Sequence, residues 1–172
     1  MNNLINRLKK FIDVVGNICS LLMILMILNV FYDVVLRYFF NDVSIGMQEL
    51  EWHLFAAMFM FGIGYSLKED AHVRVDIFYD QLSEQKKAII NIIGSLVLAL
   101  PFALLLIYFS WNYTYEAYAI GEGSGDPGGL PHRWIIRSVI PVSSIFLIVC
   151  IAHVVLTQIQ KLISKPNLVE GK

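Results

Sequence analysis

Charge is what this sequence has least of. Only 16% of its 172 residues are Asp, Glu, Lys or Arg, against about 25% in soluble domains. Hydrophobic residues make up 57%, which leaves too little polar surface to cover a water-soluble globule. The net charge of −1 gives no basic footprint for a nucleic acid. Cysteine is nearly missing too. Cys19 and Cys150 both fall in apolar runs and form no CxxC, so they read as small buried residues rather than metal or redox groups. A further absence concerns function: no charged residue lies in the middle of any apolar run. Proton- and ion-coupled transporters usually keep one there. Nor is there a matched pair of Gly/Pro-broken helices, the mark of an inverted-repeat site. Pro101 and Pro141 interrupt the third and fourth runs without implying unwinding. The chain is poorly equipped to carry a polar solute alone.

What is present is four runs without Asp, Glu, Lys or Arg: residues 14–32, 52–67, 88–115 and 138–160, of 19, 16, 28 and 23 residues. A spanning helix needs about 17 to 25 apolar residues. The second run reaches that length if residues 48–52 lie in the interfacial zone. Helices are expected rather than strands, because lipid offers the backbone no hydrogen-bond partner and no period-2 alternation is seen. Of the Lys and Arg residues, ten fall before the first run, between the second and third, or after the fourth; three (Arg37, Arg133 and Arg137) fall elsewhere. The positive-inside rule then places both ends in the cytoplasm.

The expected fold is an all-α integral membrane protein, one membrane domain over residues 1–172. It has four transmembrane helices at about 14–37, 48–67, 88–115 and 138–160, N-in and C-in. A cytoplasmic loop covers 68–87 and an outer Gly-rich loop 116–133. The first run is too long for a secretory signal and no small-residue cleavage site follows it. Before it, Leu4, Ile5, Leu8, Phe11 and Ile12 share a helical face, which predicts a short amphipathic helix on the inner membrane surface. Trp52, Trp111, Trp134 and most tyrosines sit near span ends, as an interfacial aromatic belt does.

The polar residues are few enough to weigh singly. Asp33 and Arg37 are four apart, acid first, the favourable order on one helix face; they form an intrahelical pair or face another subunit. Glu49 and Glu51 open the second span, where a carboxylate suits the helix dipole, as caps or at an interface. Two apart, they point about 200° from each other and cannot converge on one substrate. His53 and His153 would differ in depth by about 12 Å in a ~30 Å core, too far apart to ligate one haem. His72, Arg74 and Asp76 alternate, so an extended strand would put them on one face, fixing the loop or docking on a partner. One His and one Asp are too few for a metal site. Residues 121–131, "GEGSGDPGGLP", hold five glycines and two prolines, which forbid regular structure; the segment is a lid, a docking contact or an idle connector. No catalytic, cofactor or metal residues emerge, and no enzyme activity is expected.

Order and spacing then bring in a family. Arg37-Tyr38 closes the first span and Glu49 opens the second. Gly62 follows, then "HVRVD" at 72–76. "GGLPHRWIIRSVIPVS" supplies Leu130, Pro131, Trp134 and Pro141. Over roughly residues 37–143 this resembles the small permease subunit of TRAP transporters, the DctQ-like family. It departs from the pattern around Glu49, where Met47 and Gln48 precede and Trp52-His53 follow. The resemblance implies a bacterial inner-membrane subunit of a sodium-driven organic-acid importer, for C4-dicarboxylates, sialic acids or other carboxylates. It pairs with a large membrane subunit that holds the substrate and sodium sites, and a periplasmic substrate-binding protein delivers the acid; membrane lipid is the remaining partner. No cofactor is expected in this chain. Ala56, Ala57, Gly62 and Gly64 would let helices approach closely in lipid. Asp33, Arg37, Glu49, Trp52, Gly62, Gly64, His72, Arg74 and Asp76 are the candidates for interface or loop-fixing roles. Asp126, Leu130, His132 and Arg133 are the candidates for contact with the binding protein. Two rival readings are a haem- or quinone-linked redox subunit and a self-sufficient four-helix transporter.

Overall fold

The computed structural model describes residues 2–71, 79 and 81–164, and these hold helices and no strand. Four long helices follow in order: α1 (Asn2–Phe39), α2 (Ile45–Lys68), α3 (Glu84–Ala119) and α4 (Trp134–Ile163). Three of them, α1, α3 and α4, are long and apolar enough to cross a membrane by length and composition. The second has the length, 24 residues, but Glu49, Glu51 and His53 dilute its first turns. All four expected spans lie inside these helices. At 1.5 Å per residue the helices run from about 36 to 57 Å, longer than a ~30 Å hydrocarbon core.

The expected separate interfacial helix is not found. Residues 2–13 continue into the first span without a break, and Ile5 and Ile12 are buried against the rest of the chain. Only Leu4 and Phe11 of the predicted apolar face remain largely exposed. The inner-surface face is therefore partly a packing face. Gln160 of α4 donates to Asn2 at 2.9 Å and ties the start of α1 to the end of the bundle.

α4 is the hub. It packs on α1, α2 and α3, while α1 packs chiefly on α2 and α3 on α4. Two apolar clusters flank it: Ile12, Phe146 and Cys150 on the α1–α2 side, and Ala103, Leu147 and Ile151 on the α3 side. α1 and α3 occupy the edges and expose wide apolar faces, among them Ile24, Leu28 and Phe31 on α1 and Leu98, Phe102 and Phe109 on α3. In water such faces would be a liability; in a bilayer they meet lipid or a partner helix.

The seam between α3 and α4 is built from small residues. On α3 the buried positions are Ala88, Ser95, Ala103, Ser110 and Ala117. They recur every seven residues except from Ser95 to Ala103, a step of eight. Residues Ser95–Ala99 form a π turn, closed by the Leu100 N–H on the Ser95 carbonyl. A π turn takes up one extra residue, so the stripe returns to the same face. Pro101, which has no N–H to give, follows directly.

The helix ends are set by local chemistry. Ser44 caps α2, its hydroxyl accepting from the Met47 N–H at 3.4 Å. α2 and α3 close with Asp70 and Gly121 in the left-handed region, at φ 60° and 63°. The next amides bond back five residues, Ala71 to Ser66 at 3.0 Å and Glu122 to Ala117 at 2.9 Å.

Candidate functional site

Because Ser44 already caps α2, the Glu49 carboxylate is free for another task. It is buried and accepts from the Ser124 hydroxyl and, at 2.6 Å, from the Leu130 N–H. These partners lie 75 and 81 positions away. Glu49 is thus a clamp on the Gly-rich loop rather than a cap of its own helix. The loop folds around it. Ser124 N–H donates to the Leu130 carbonyl at 3.0 Å, Gly129 N–H to Asp126 at 3.0 Å, and Asp126 N–H to the Ser124 hydroxyl at 3.1 Å. Gly129 is there for proximity, since a Cβ would meet Ser124 at 2.4 Å and Glu49 Oε2 at 2.9 Å. The glycines that read as flexibility in the sequence instead allow a fixed turn against a carboxylate.

The other end of the loop is pinned by Glu122. It binds Arg137 at 2.5 Å and lies 3.9 Å from Arg133, whose N–H donates to the Glu122 carbonyl at 2.8 Å. The Arg137 guanidinium also lies 4.0 Å from the centroid of the Tyr113 ring and donates to the Tyr113 carbonyl at 3.3 Å. This links α3 to the first turn of α4. Asp126 and His132 remain exposed on the loop, whereas Leu130 and Arg133 are half-buried.

On α1, Asp33 and Arg37 do form the expected pair, at 2.5 Å, with Asp33 5% and Arg37 43% exposed. One turn earlier Asn29 donates to the Met47 carbonyl at 2.9 Å and joins α1 to the start of α2. The Oδ1 atoms of Asn29 and Asp33 are buried without a partner among the described residues. The Trp52 and His53 rings lie 4.1 Å apart between centroids, tilted by 36°, and His53 Nδ1 bonds the Glu49 carbonyl.

The opposite end of the bundle has its own ion pairs. Lys68, 8% exposed, bonds Asp13 of α1 at 2.7 Å and also Glu69. The Lys68 ammonium holds the Asp13 and Glu69 carboxyls below the usual carboxylate range. His153 of α4, at the far end of the bundle from His53, is buried, its Nδ1 without a hydrogen-bond partner among the described residues. The two glycines expected at an interface differ. A Cβ on Gly64 would meet Phe146 at 2.8 Å and Cys150 Sγ at 3.1 Å, whereas at Gly62 nothing lies within 4 Å. Gly64 is used within the chain; Gly62 opens on a groove of about 480 Å³ between α1 and α2. His72, Arg74 and Asp76 lie outside the described residues. Among the described residues no three His, Cys, Asp or Glu side chains gather as a metal site.

Sequence reasoning passed over Ser124, Glu122, Asp13, Lys68 and Asn29 as site residues. Their partners are distant in sequence, so no local spacing marks them. The 7-8-7-7 rhythm of small residues on α3 was a usable signal for the π turn.

Comparison with known proteins agrees with this architecture. Residues 26–161 match the family described as tripartite ATP-independent periplasmic transporters, DctQ component. A Haemophilus influenzae protein named as a TRAP transporter small permease protein is 31% identical over 123 residues, 69% of this chain and 74% of that one. A second H. influenzae small permease protein is 27% identical over 148 residues, 86% and 89% of the two chains. The C4-dicarboxylate TRAP transporter small permease protein DctQ of Vibrio cholerae is 28% identical over 109 residues, 63% of this chain and 47% of that one. These relatives are transporter subunits. With its three apolar membrane-length helices, this multi-pass membrane chain belongs to the DctQ-component family of small TRAP transporter permeases.

Proposed function

We propose that this chain is the accessory membrane subunit of a sodium-driven, binding-protein-dependent organic-acid importer in the bacterial inner membrane. It braces a large transport subunit and holds no substrate site of its own. The observation that carries this reading is the placement of charge. Among the described residues, the ion pairs sit at the two ends of the bundle and are spent on contacts within the chain. Between them the buried polar residues are Asn29, Ser95, Ser110, Ser143, Ser144 and His153 with the two cysteines, and none is Asp, Glu, Lys or Arg. A bundle so built has little with which to bind a carboxylate, and broad faces with which to meet another helical protein.

In this reading all four helices span, α2 included, with both chain ends in the cytoplasm and the loop after α3 outside. Sodium and substrate bind in the large subunit, so no cofactor is needed here. Asp33, Arg37, Trp52 and Gly62 face or support that subunit, while Glu49 and Gly64 shape the surface from within. His72, Arg74 and Asp76 fix the loop on the cytoplasmic side. Contact with the periplasmic binding protein falls on Asp126 and His132, the two exposed residues among the loop's four candidates. The cargo is an organic acid, a C4-dicarboxylate or a sialic acid, chosen by the other two proteins. Affinity purification of the tagged chain from membranes should bring down the large subunit in defined ratio. Recovery of the chain alone under mild detergent, with the large subunit present and folded, would refute the scaffold role.

A further inference from the structure

A slot of about 290 Å³ runs between the loop-side halves of α3 and α4, walled by Trp111, Tyr115, Tyr118, Trp134, Pro141 and Val142. It differs from the seams described above in two ways: its walls are almost wholly apolar and aromatic, and it opens to the outside of the bundle. Tyr118 and Trp134 meet edge to face at 5.5 Å, and they are the lining residues nearest the loop. Tyr115 and Val142, farther down, are largely exposed. The slot therefore begins at the membrane surface and descends toward the hydrocarbon.

Its dimensions select the occupant. Between Trp134 and Ile145, both lining it, α4 rises about 16 Å at 1.5 Å per residue. The slot holds about 290 Å³ along that length and is long and narrow. A helix with side chains is about 10–12 Å across and does not fit. A single extended hydrocarbon chain does.

The charge at the slot's upper end selects the headgroup. Arg133 and Arg137 share one carboxylate, Glu122. Arg137 is satisfied by Glu122, the Tyr113 carbonyl and the Tyr113 ring. Arg133 lies 3.9 Å from Glu122, beyond hydrogen-bond length, and its guanidinium is 37% exposed. It directly precedes Trp134. The Glu49 carboxylate also acts on Arg133 and balances its charge, but the guanidinium makes no side-chain hydrogen bond among the described residues; its N–H donors, next in the chain to the slot residue Trp134, are available to phosphate oxygens.

We propose that this slot is a phospholipid site. One acyl chain lies between α3 and α4, and the lipid phosphate is held by Arg133. The site lies on the α3 edge of the bundle, on the far side of α4 from the groove at Gly62.

Tryptophan quenching tests it directly. The full chain carrying Trp52→Phe keeps two tryptophans, Trp111 and Trp134, both in the slot. In detergent micelles it is titrated with phosphatidylglycerol brominated on its acyl chains. The expected result is quenching that saturates near one lipid per chain. Arg133→Gln should raise the midpoint about three- to fivefold, as loss of a partly exposed charged contact does. Val142→Phe, at a half-exposed position, should abolish the saturable phase without lowering the melting temperature. Quenching that only tracks bulk bromolipid and ignores both substitutions would overturn the site. Equal competition by diacylglycerol, which lacks the phosphate, would overturn the role of Arg133. Loss of quenching on adding the large membrane subunit, with no phospholipid retained in the complex, would show the slot to be a protein contact instead.

Discussion

Gly62 and Gly64 are two residues apart on α2, and the structure assigns them opposite fates on substitution by alanine. At Gly64 the new methyl would stand 2.8 Å from Phe146 and 3.1 Å from Cys150 Sγ. Phe146 has little freedom to retreat, since its ring meets those of Phe11 and Phe61 at 6.1 and 5.9 Å. Overpacking of this kind costs about 1–3 kcal/mol. At Gly62 the methyl meets nothing within 4 Å. Both changes gain about 1 kcal/mol of helix propensity, so the difference between the variants isolates the packing cost. For a chain of this size, about 1–3 kcal/mol separates their melting temperatures by about 3–10 °C. Thermal unfolding in detergent should show Gly64→Ala melting lower than wild type and Gly62→Ala at or above it. The argument fails if the two variants melt together, or if Gly62→Ala is the less stable. On the proposed function, Gly62→Leu fills the open groove and should leave the isolated chain folded while reducing co-purification of the large subunit.

Three further outcomes follow from the same geometry. Replacing Glu49 by Ala should speed hydrogen exchange of the Ser124 and Leu130 amides by about tenfold or more, with helix amides unchanged; unaltered loop protection would dismiss the clamp. Asp13 and Glu69 are held below the usual carboxylate range by Lys68, so their contribution is complete above about pH 4 and is lost as pH falls through the lowered values. Both acids are more than two-fifths exposed, which keeps the effect under about 1 kcal/mol. Melting curves between pH 5 and 3 should shift slightly more for wild type than for Lys68→Met, and equal shifts would count against the pairs. Deleting Val97 shortens the Ser95 to Ala103 step to seven residues and should be tolerated. Deleting Ile107 turns Ser110 and Ala117 about 100° out of the seam and should cost several degrees more of melting temperature.

The helices were legible because membrane-length apolar runs leave few alternatives, and the Asp33–Arg37 pair because four residues make one helical turn. The 7-8-7-7 spacing of small residues on α3 carries the π turn, though only as a packing rhythm. Other features have no local trace. Glu49 reads as a dipole partner, and nothing in its neighbourhood reveals that Ser124 and Leu130 come to meet it. The Gly-rich segment reads as a connector until Gly129 is seen to stand where no Cβ fits. The break expected near residue 13 is absent because Ile12 is needed in the core with Phe146 and Cys150, so the amphipathic turns continue the first helix.

The central claim is that this chain supports transport without carrying cargo. It is tested most directly by reconstituting it in liposomes alone, with the large membrane subunit, and with that subunit plus the binding protein. Sodium-driven uptake of labelled succinate and sialic acid is then measured in each. The account predicts uptake of one of them only when all three proteins are present, and none from this chain alone. Uptake by this chain alone, or full uptake with it left out, would contradict it.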